Sequence, residues 1–274
     1  MVLLLLTLCA CGRIPEPTLP ATTLVVDGWI DAGGHPMVLL SRAVATSESF
    51  QDSAVLASKV VTYARVFVDD GTSRVELTGR RDDDYFPPYV YTSDAITGEV
   101  GGTYRLEVVC PGITAWSETT IPASAQVDHF RVEVSNRADS LYVLTACIED
   151  NPATHDYYKV FTIVEGQHAT WRPTLLSAVD DAMASSSNID IPIARGWGAL
   201  DKFRQTLFRK GEKVRVKFCT MDAASYSFWT SFDDVCILGR NPFFPSTSDA
   251  RGNVHGALGA WCGYGSTEYE VEIR

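Results

Sequence analysis

The feature that most constrains this chain is a β rhythm. From Leu24 to Pro122, short apolar or alternating runs recur between turn residues, and no segment there carries a helical period. The runs are Leu24 to Ile30, Met37 to Ala43, Val60 to Val68, Arg74 to Leu77, Thr103 to Cys110 and Thr114 to Ile121. Val66 and Val68 flank Phe67 ahead of Asp69-Asp70-Gly71, a hairpin signal, and Gly98-Glu99-Val100-Gly101-Gly102 reads as a tight turn into Tyr104, Leu106 and Val108. Strands of this kind bury one face each against a second sheet. Residues 24–122 are therefore expected to form one Greek-key β-sandwich, immunoglobulin-like or transthyretin-like.

Beyond Pro122 the pattern changes. Strands are expected at Phe130 to Val134, Leu141 to Ile148 and Tyr157 to Val164, followed by Glu165 to Lys202, which is rich in Ser, Ala, Asp and Gly and reads as loops or an insertion. Lys213 to Thr220 alternates, with Val214, Val216 and Phe218 inward and Arg215 and Lys217 on a solvated face. Asp222 is placed to cap a helix reaching about Val235. Its Ala224, Phe228, Phe232 and Val235 make one apolar stripe, flanked by Tyr226 and Trp229. Thr267 to Ile273 closes the chain as a strand. With 274 residues the expectation is mainly β: the sandwich, then a β-rich C-terminal domain over 123–274 with one or two short helices.

Ahead of the first strand, the apolar run Val2 to Leu8 ends in Leu8-Cys9-Ala10-Cys11, which has the form of a bacterial lipobox. That reading makes residues 1–10 a signal peptide and Cys11 the lipidated first residue of the mature chain. The run is too short to span a bilayer. Its lack of Lys or Arg departs from the usual n-region and bears on the start codon. Residues 11–23, with Pro15, Pro17 and Pro20, read as an extended tether. Only Glu16 is acidic after Cys11, which leaves the leaflet open, with the cell surface preferred to the periplasmic face of the outer membrane.

A net charge of −11 provides no basic stripe to replace phosphate counterions, so no nucleic-acid partner is expected. After the signal and Cys11, the cysteines are Cys110, Cys147, Cys219, Cys236 and Cys262, with no CxxC among them. In an exported chain this points to one or two disulfides plus a leftover thiol, with Cys147–Cys219 and Cys236–Cys262 as pairs and five free thiols as the alternative. The five histidines are scattered, and there is no HExxH, G-x-S-x-G or P-loop, so no metal, cofactor or catalytic residue is assigned. Asp82-Asp83-Asp84 lacks calcium-loop spacing and reads as a solvated hairpin tip. Tyr85, Phe86, Tyr89 and Tyr91 around Pro87-Pro88 form either a stacking platform or a core plug. The candidate binding residues are Trp197, between Gly196 and Gly198 in an aperiodic stretch, and Phe243, Phe244, Trp261 and Tyr264 in the glycine- and aromatic-rich tail.

The opening Leu24-Val25-Val26-Asp27-Gly28-Trp29-Ile30, the Gly98 to Leu106 turn and strand, Thr119-Thr120-Ile121-Pro122, the Phe203 to Val216 segment and the tail from Asn241-Pro242-Phe243-Phe244 to Gly265, together with the lipobox, resemble Bacteroidota lipoproteins grouped as domain of unknown function 4249. The likeness spans nearly the whole chain. It implies an envelope lipoprotein, commonly encoded beside a TonB-dependent outer-membrane receptor, with no catalytic residues to carry over. The expected function is a non-catalytic, lipid-anchored accessory protein that captures or delivers a ligand for such a receptor. The alternatives are a surface hydrolase with a dispersed active site, and an adhesion or scaffold module.

Overall fold

A computed structural model describes residues 23–43, 57–136, 140–151, 153–184, 187–198, 205–238 and 251–274. Among the described residues the fold is mainly β, with two sheets and one long helix. In chain order the strands are β1 (Leu24–Asp31), β2 (Met37–Arg42), β3 (Arg65–Asp69), β4 (Arg74–Arg81), β5 (Tyr89–Thr92), β6 (Thr103–Cys110), β7 (Ile113–Thr120), β8 (His129–Asn136), β9 (Leu141–Glu149) and β10 (Tyr157–Val164). They continue with β11 (Arg172–Pro173), β12 (Val179–Asp180), β13 (Asn188–Ile193), β14 (Phe208–Arg209) and β15 (Lys213–Met221). Helix α1 (Ala223–Leu238) and the long strand β16 (Leu258–Glu272) complete the fold.

The large sheet runs β11-β10-β15-β16-β1-β2-β5-β4-β3-β6-β7, with β12 beside β10, and the small one runs β13-β9-β14, with β8 on β9. The hairpin signals form as their residues dictate. Gly71 takes φ +84° between β3 and β4, while Asp70 Oδ1 accepts from the amides of Thr72 and Ser73. The first half of the large sheet curls back on itself, so that Trp116 of β7 bridges to His255 just ahead of β16. Inside that curl lies the first core, built from Val26, Ile30, Leu40, Val66, Leu106 and Ile121 among others.

Strand β16 joins the two halves. Its first part pairs parallel with β1, from Val25↔Leu258 to Asp31↔Tyr264, and its second part pairs antiparallel with β15. The sandwich core of residues 24–122 is filled from the far end of the chain by Val254 and Trp261. A division into 24–122 and 123–274 is therefore crossed by the last strand. Gly259 makes this possible: it sits at φ +100°, where a Cβ would strike the Val26 carbonyl. The second core lies between β10, β15 and the end of β16 on one side and the small sheet on the other, with Val160, Val216, Phe218, Leu144, Ile191 and Phe208 at its centre. Strands β10 and β15 are thus covered on both faces.

Four expectations change. The stretch Glu165 to Lys202 contains β11, β12, a 3-10 turn at Asp181–Met183 and β13, whose Ile189, Ile191 and Ile193 point into the second core. Helix α1 forms with Asp222 as its cap, Oδ1 accepting from the Ser225 amide at 2.7 Å, but its buried line is Ser225, Trp229 and Asp233, while Ala224 is exposed. The helix turns a polar-laced face inward because Asp233 reaches the buried Lys159 of β10, Oδ2 to Nζ 3.6 Å. Lys217 is buried, not solvated. Finally, Cys110, Cys147, Cys219, Cys236 and Cys262 are all free thiols; Cys147 lies in the small sheet against Arg131, while Cys219 lies in the large one.

Candidate functional site

On the face of the large sheet opposite the two sandwich cores, β10, β15, β16, β1 and β2 form the floor of a cleft of about 920 Å³. Alternation decides which side chains reach it. Along β1, Leu24, Val26, Gly28 and Ile30 turn into the first core, leaving Val25, Asp27 and Trp29 on the cleft face. Ala260, Cys262 and Tyr264 of β16 and Phe161 and Lys217 of β10 and β15 continue that face.

Three walls stand on this floor. Helix α1 contributes Phe228, Trp229 and Phe232; Trp229 stands edge-to-face with both Phe161 and Phe232, and its Nε1 donates to the Tyr264 hydroxyl at 2.8 Å. The β4–β5 loop brings Asp83, Asp84, Tyr85, Phe86, Pro87 and Pro88, with Tyr85 tilted over Trp29 at 6.1 Å between ring centroids. The third wall is Trp171, Arg172, Pro173, Trp197 and Gly198. The last two walls touch, since Thr170 Oγ1 donates to the Asp84 carbonyl at 3.2 Å. The glycines around Trp197 serve close approach. A Cβ on Gly196 would sit 2.6 Å from the Arg172 carbonyl, and one on Gly198 would meet the Arg172 guanidinium at 3.0 Å. The Trp197 amide donates to the Pro173 carbonyl at 3.0 Å, which fixes the tryptophan on the rim.

The charged groups of the cleft differ in how they are matched. Lys217 Nζ donates to both oxygens of Asp31, at 3.0 and 3.1 Å, and lies 5.0 Å over the Phe161 ring. Burial, the largest single influence, would lower its pKa; the Asp31 carboxylate together with Cys219 and Glu268 more than offsets it and holds the group above the ordinary lysine value, so it stays protonated. Asp27 has no hydrogen bond or ion pair among the described residues. Its carboxylate is reached by solvent yet enclosed by the cleft walls, and that desolvation pushes its pKa up to about 6. Burial also pushes the Cys262 thiol up to about 12. A protonated lysine and a neutral thiol are poor nucleophiles. The arrangement suits holding a molecule by aromatic area and one carboxylate.

The sequence-derived candidates separate. Trp197 and Tyr264 reach the cleft, Tyr264 as part of its floor with its hydroxyl engaged by Trp229. Trp261 turns to the opposite face and is fully buried, its Nε1 donating to the Tyr104 carbonyl at 2.9 Å, so it presents no surface to a ligand. Phe243, Phe244 and Cys11 lie outside the described residues. Of the aromatic run after the acidic triplet, Tyr85 and Phe86 join the cleft, whereas Tyr91 is core, donating to the Val61 carbonyl at 2.9 Å. Asp27, Trp29, Trp171 and Lys217 are site residues that the sequence reading misses; within the apolar run Leu24 to Ile30, Asp27 is the only acidic residue, and that is the signal that could have found it. Away from the cleft, His155 Nε2 approaches Asp180 Oδ1 at 2.8 Å and Asp181 Oδ1 at 3.7 Å, and the three ligand atoms lie within 4.8 Å of one another. The hydrogen bond that the His155 ring gives to Asp180 raises the His155 pKa. Both carboxylates also hold the adjoining turn, through the Ala182 and Asp156 amides.

The family model described as Domain of unknown function (DUF4249) matches residues 13–270. No curated protein matches the chain.

Proposed function

We propose that this chain, which belongs to the DUF4249 family, is a non-catalytic binding protein of the bacterial cell envelope that holds a small ligand in the cleft for a membrane partner. The observation that carries the reading is the cleft itself: about 920 Å³, walled by aromatic side chains drawn from both halves of the chain. That is the size and lining of a small-molecule site. Its reactive groups point the same way, since Lys217 is matched to Asp31 and no histidine lines the cleft among the described residues.

The sequence supplies the address. The lipobox at Cys11 supports anchoring to a membrane; the outer membrane, with the cell surface as the preferred face, and a TonB-dependent receptor as partner are carried by the family resemblance and remain part of the proposal. A mature N-terminus carrying several acyl chains binds membranes far more tightly than one chain does, at about 0.8 kcal/mol per buried methylene. Cys11→Ala should release the protein from the outer-membrane fraction; retention at wild-type yield without a partner would remove the anchor. Pull-down of the native protein from solubilised outer membranes should recover a TonB-dependent receptor. Trp197→Ala should weaken that co-purification with the thermal midpoint nearly unchanged, whereas a large stability loss with partner binding intact would assign Trp197 to the core.

A further inference from the structure

The cleft contains an asymmetry that a general aromatic pocket does not need. Asp27 projects from the middle of the floor. On its own strand its same-face neighbours are Val25 and Trp29, and across the sheet it faces Leu39 of β2 and Ala260 of β16. All four are apolar, so the sheet gives the carboxylate no donor or cation, and among the described residues none of the walls gives it a hydrogen bond or ion pair. A carboxylate among apolar neighbours and aromatic walls, although solvent still reaches it, loses part of its hydration, and such a group often marks a functional site.

The other charges do not cancel it. Lys217 is committed to Asp31, and Arg172 has interactions of its own at the third wall. On the rim, Asp83 pairs with Arg81 at 2.9 Å, leaving Asp84 to add negative potential beside Tyr85. Around the cleft that holds Asp27 stand the faces and edges of Trp29, Tyr85, Phe86, Trp171, Trp197 and Phe232. Aromatic rings attract cations through their quadrupoles, and a desolvated setting strengthens both that attraction and the carboxylate's.

Resting on the reading of the cleft as a ligand site, we infer that the ligand is an amphipathic cation, an amine or quaternary ammonium carried on a ring or alkyl body, with its charge at Asp27 and its apolar part among the aromatic walls. The three-walled shape favours a body larger than a bare ammonium ion. A neutral ligand would leave Asp27 unmatched, and an anionic one would be repelled by it.

Isothermal titration of the full chain at pH 7.5 (about one unit or more above the carboxyl's own range) with 4-phenylbutylamine, 4-phenylbutanol and 4-phenylbutyrate varies charge on one skeleton. The amine should bind about tenfold or more tighter than the alcohol, and the acid weakest. Asp27→Asn should abolish the preference for the amine while leaving the alcohol unchanged, and Asp27→Glu should keep it. Asp84→Asn on the rim should have only a small effect, and thermal melts confirm folding of each variant. Equal binding of all three compounds would overturn the cation assignment and leave the cleft as a ligand site. An amine preference that survives Asp27→Asn would overturn the role of Asp27. Binding of none of the three would remove both the assignment and the cleft reading beneath it.

Discussion

At the scale of single residues, the two carboxylates Asp27 and Asp233 face opposite problems. Asp233 is buried on α1 with a cation to meet, Lys159, whose Nζ also donates to the Thr174 carbonyl at 2.9 Å and lies 4.6 Å over the Trp229 ring. Burial pushes Asp233 up and pulls Lys159 down to about 8 from an ordinary 10.5. Removing one member strands the other, so Asp233→Ala should lose about 3–5 kcal/mol in denaturant unfolding, while Lys159→Met with Asp233→Leu should recover most of it. The sign of the pH effect follows. Between about 8 and 10.5 the unfolded chain holds the Lys159 proton and the folded chain has released it, so the destabilisation is complete below pH 8 and fades as pH rises through that window. Asp27 is the reverse case, an acid raised from 3.8 to about 6. The folded state keeps its proton longer there, so stability falls as pH rises across 3.8 to 6. Asp27→Asn should melt higher than wild type at pH 7, and the two midpoints should converge near pH 4; equal midpoints at pH 7 would show that the enclosure of Asp27 has no energetic consequence.

At the scale of elements, a cap and a glycine carry more than their local roles. Asp222 caps α1 through Oδ1 and, through Oδ2, accepts from the Thr119 hydroxyl of β7 at 2.7 Å, which in turn accepts from the Gly263 amide of β16 at 2.8 Å. Three elements meet at one carboxylate. Asp222→Ala should therefore lose more than the roughly 1 kcal/mol of an isolated N-cap, about 2–3 kcal/mol by thermal unfolding, while Asp222→Asn should retain much of it. Gly259→Ala faces both a left-handed backbone and the Val26 carbonyl, so the β1–β16 pairing must open; loss of amide protection at Val26 to Ile30 in hydrogen exchange would report it. Helix α1 also shows why its inward face was misread. A stripe counted from Ala224 follows hydrophobicity, whereas the helix is rotated by about one residue because Trp229 and Asp233 have partners on the sheet below, Tyr264 and Lys159.

At the scale of the whole molecule, the last strand decides cooperativity. Trp261 fills the first core from 157 residues beyond its hydrogen-bond partner Tyr104, against Gly28, where any Cβ would approach the indole to 2.9 Å. Trp261→Ala should cost about 3–5 kcal/mol, and the loss of exchange protection should appear in β1 and β6 as much as in β16. An isolated 23–122 fragment should not reach a fixed fold, lacking both Trp261 and the strand that pairs with β1; sharp, dispersed amide resonances from that fragment would contradict the shared core.

The sequence by itself determined the elements whose information is local. Alternation and turn residues placed Thr103 to Cys110 and Tyr157 to Val164 residue for residue, set the hairpin at Asp70, and identified the Asp222 cap, because period and capping are properties of a few neighbouring side chains. The alternating Ile189, Ile191 and Ile193 were equally local, and only the surrounding Ser and Asp obscured them. The family, too, was legible, in the order and spacing of short segments along the chain. What only the tertiary structure decided is everything that depends on long-range pairing. That β16 would run parallel to β1 and close the first core, that Lys217 would meet Asp31 across 186 positions, and that loops from both halves would wall Asp27 into a cleft follow from sheet order. Sheet order is set by the burial of whole faces at once, which no window of neighbouring residues contains.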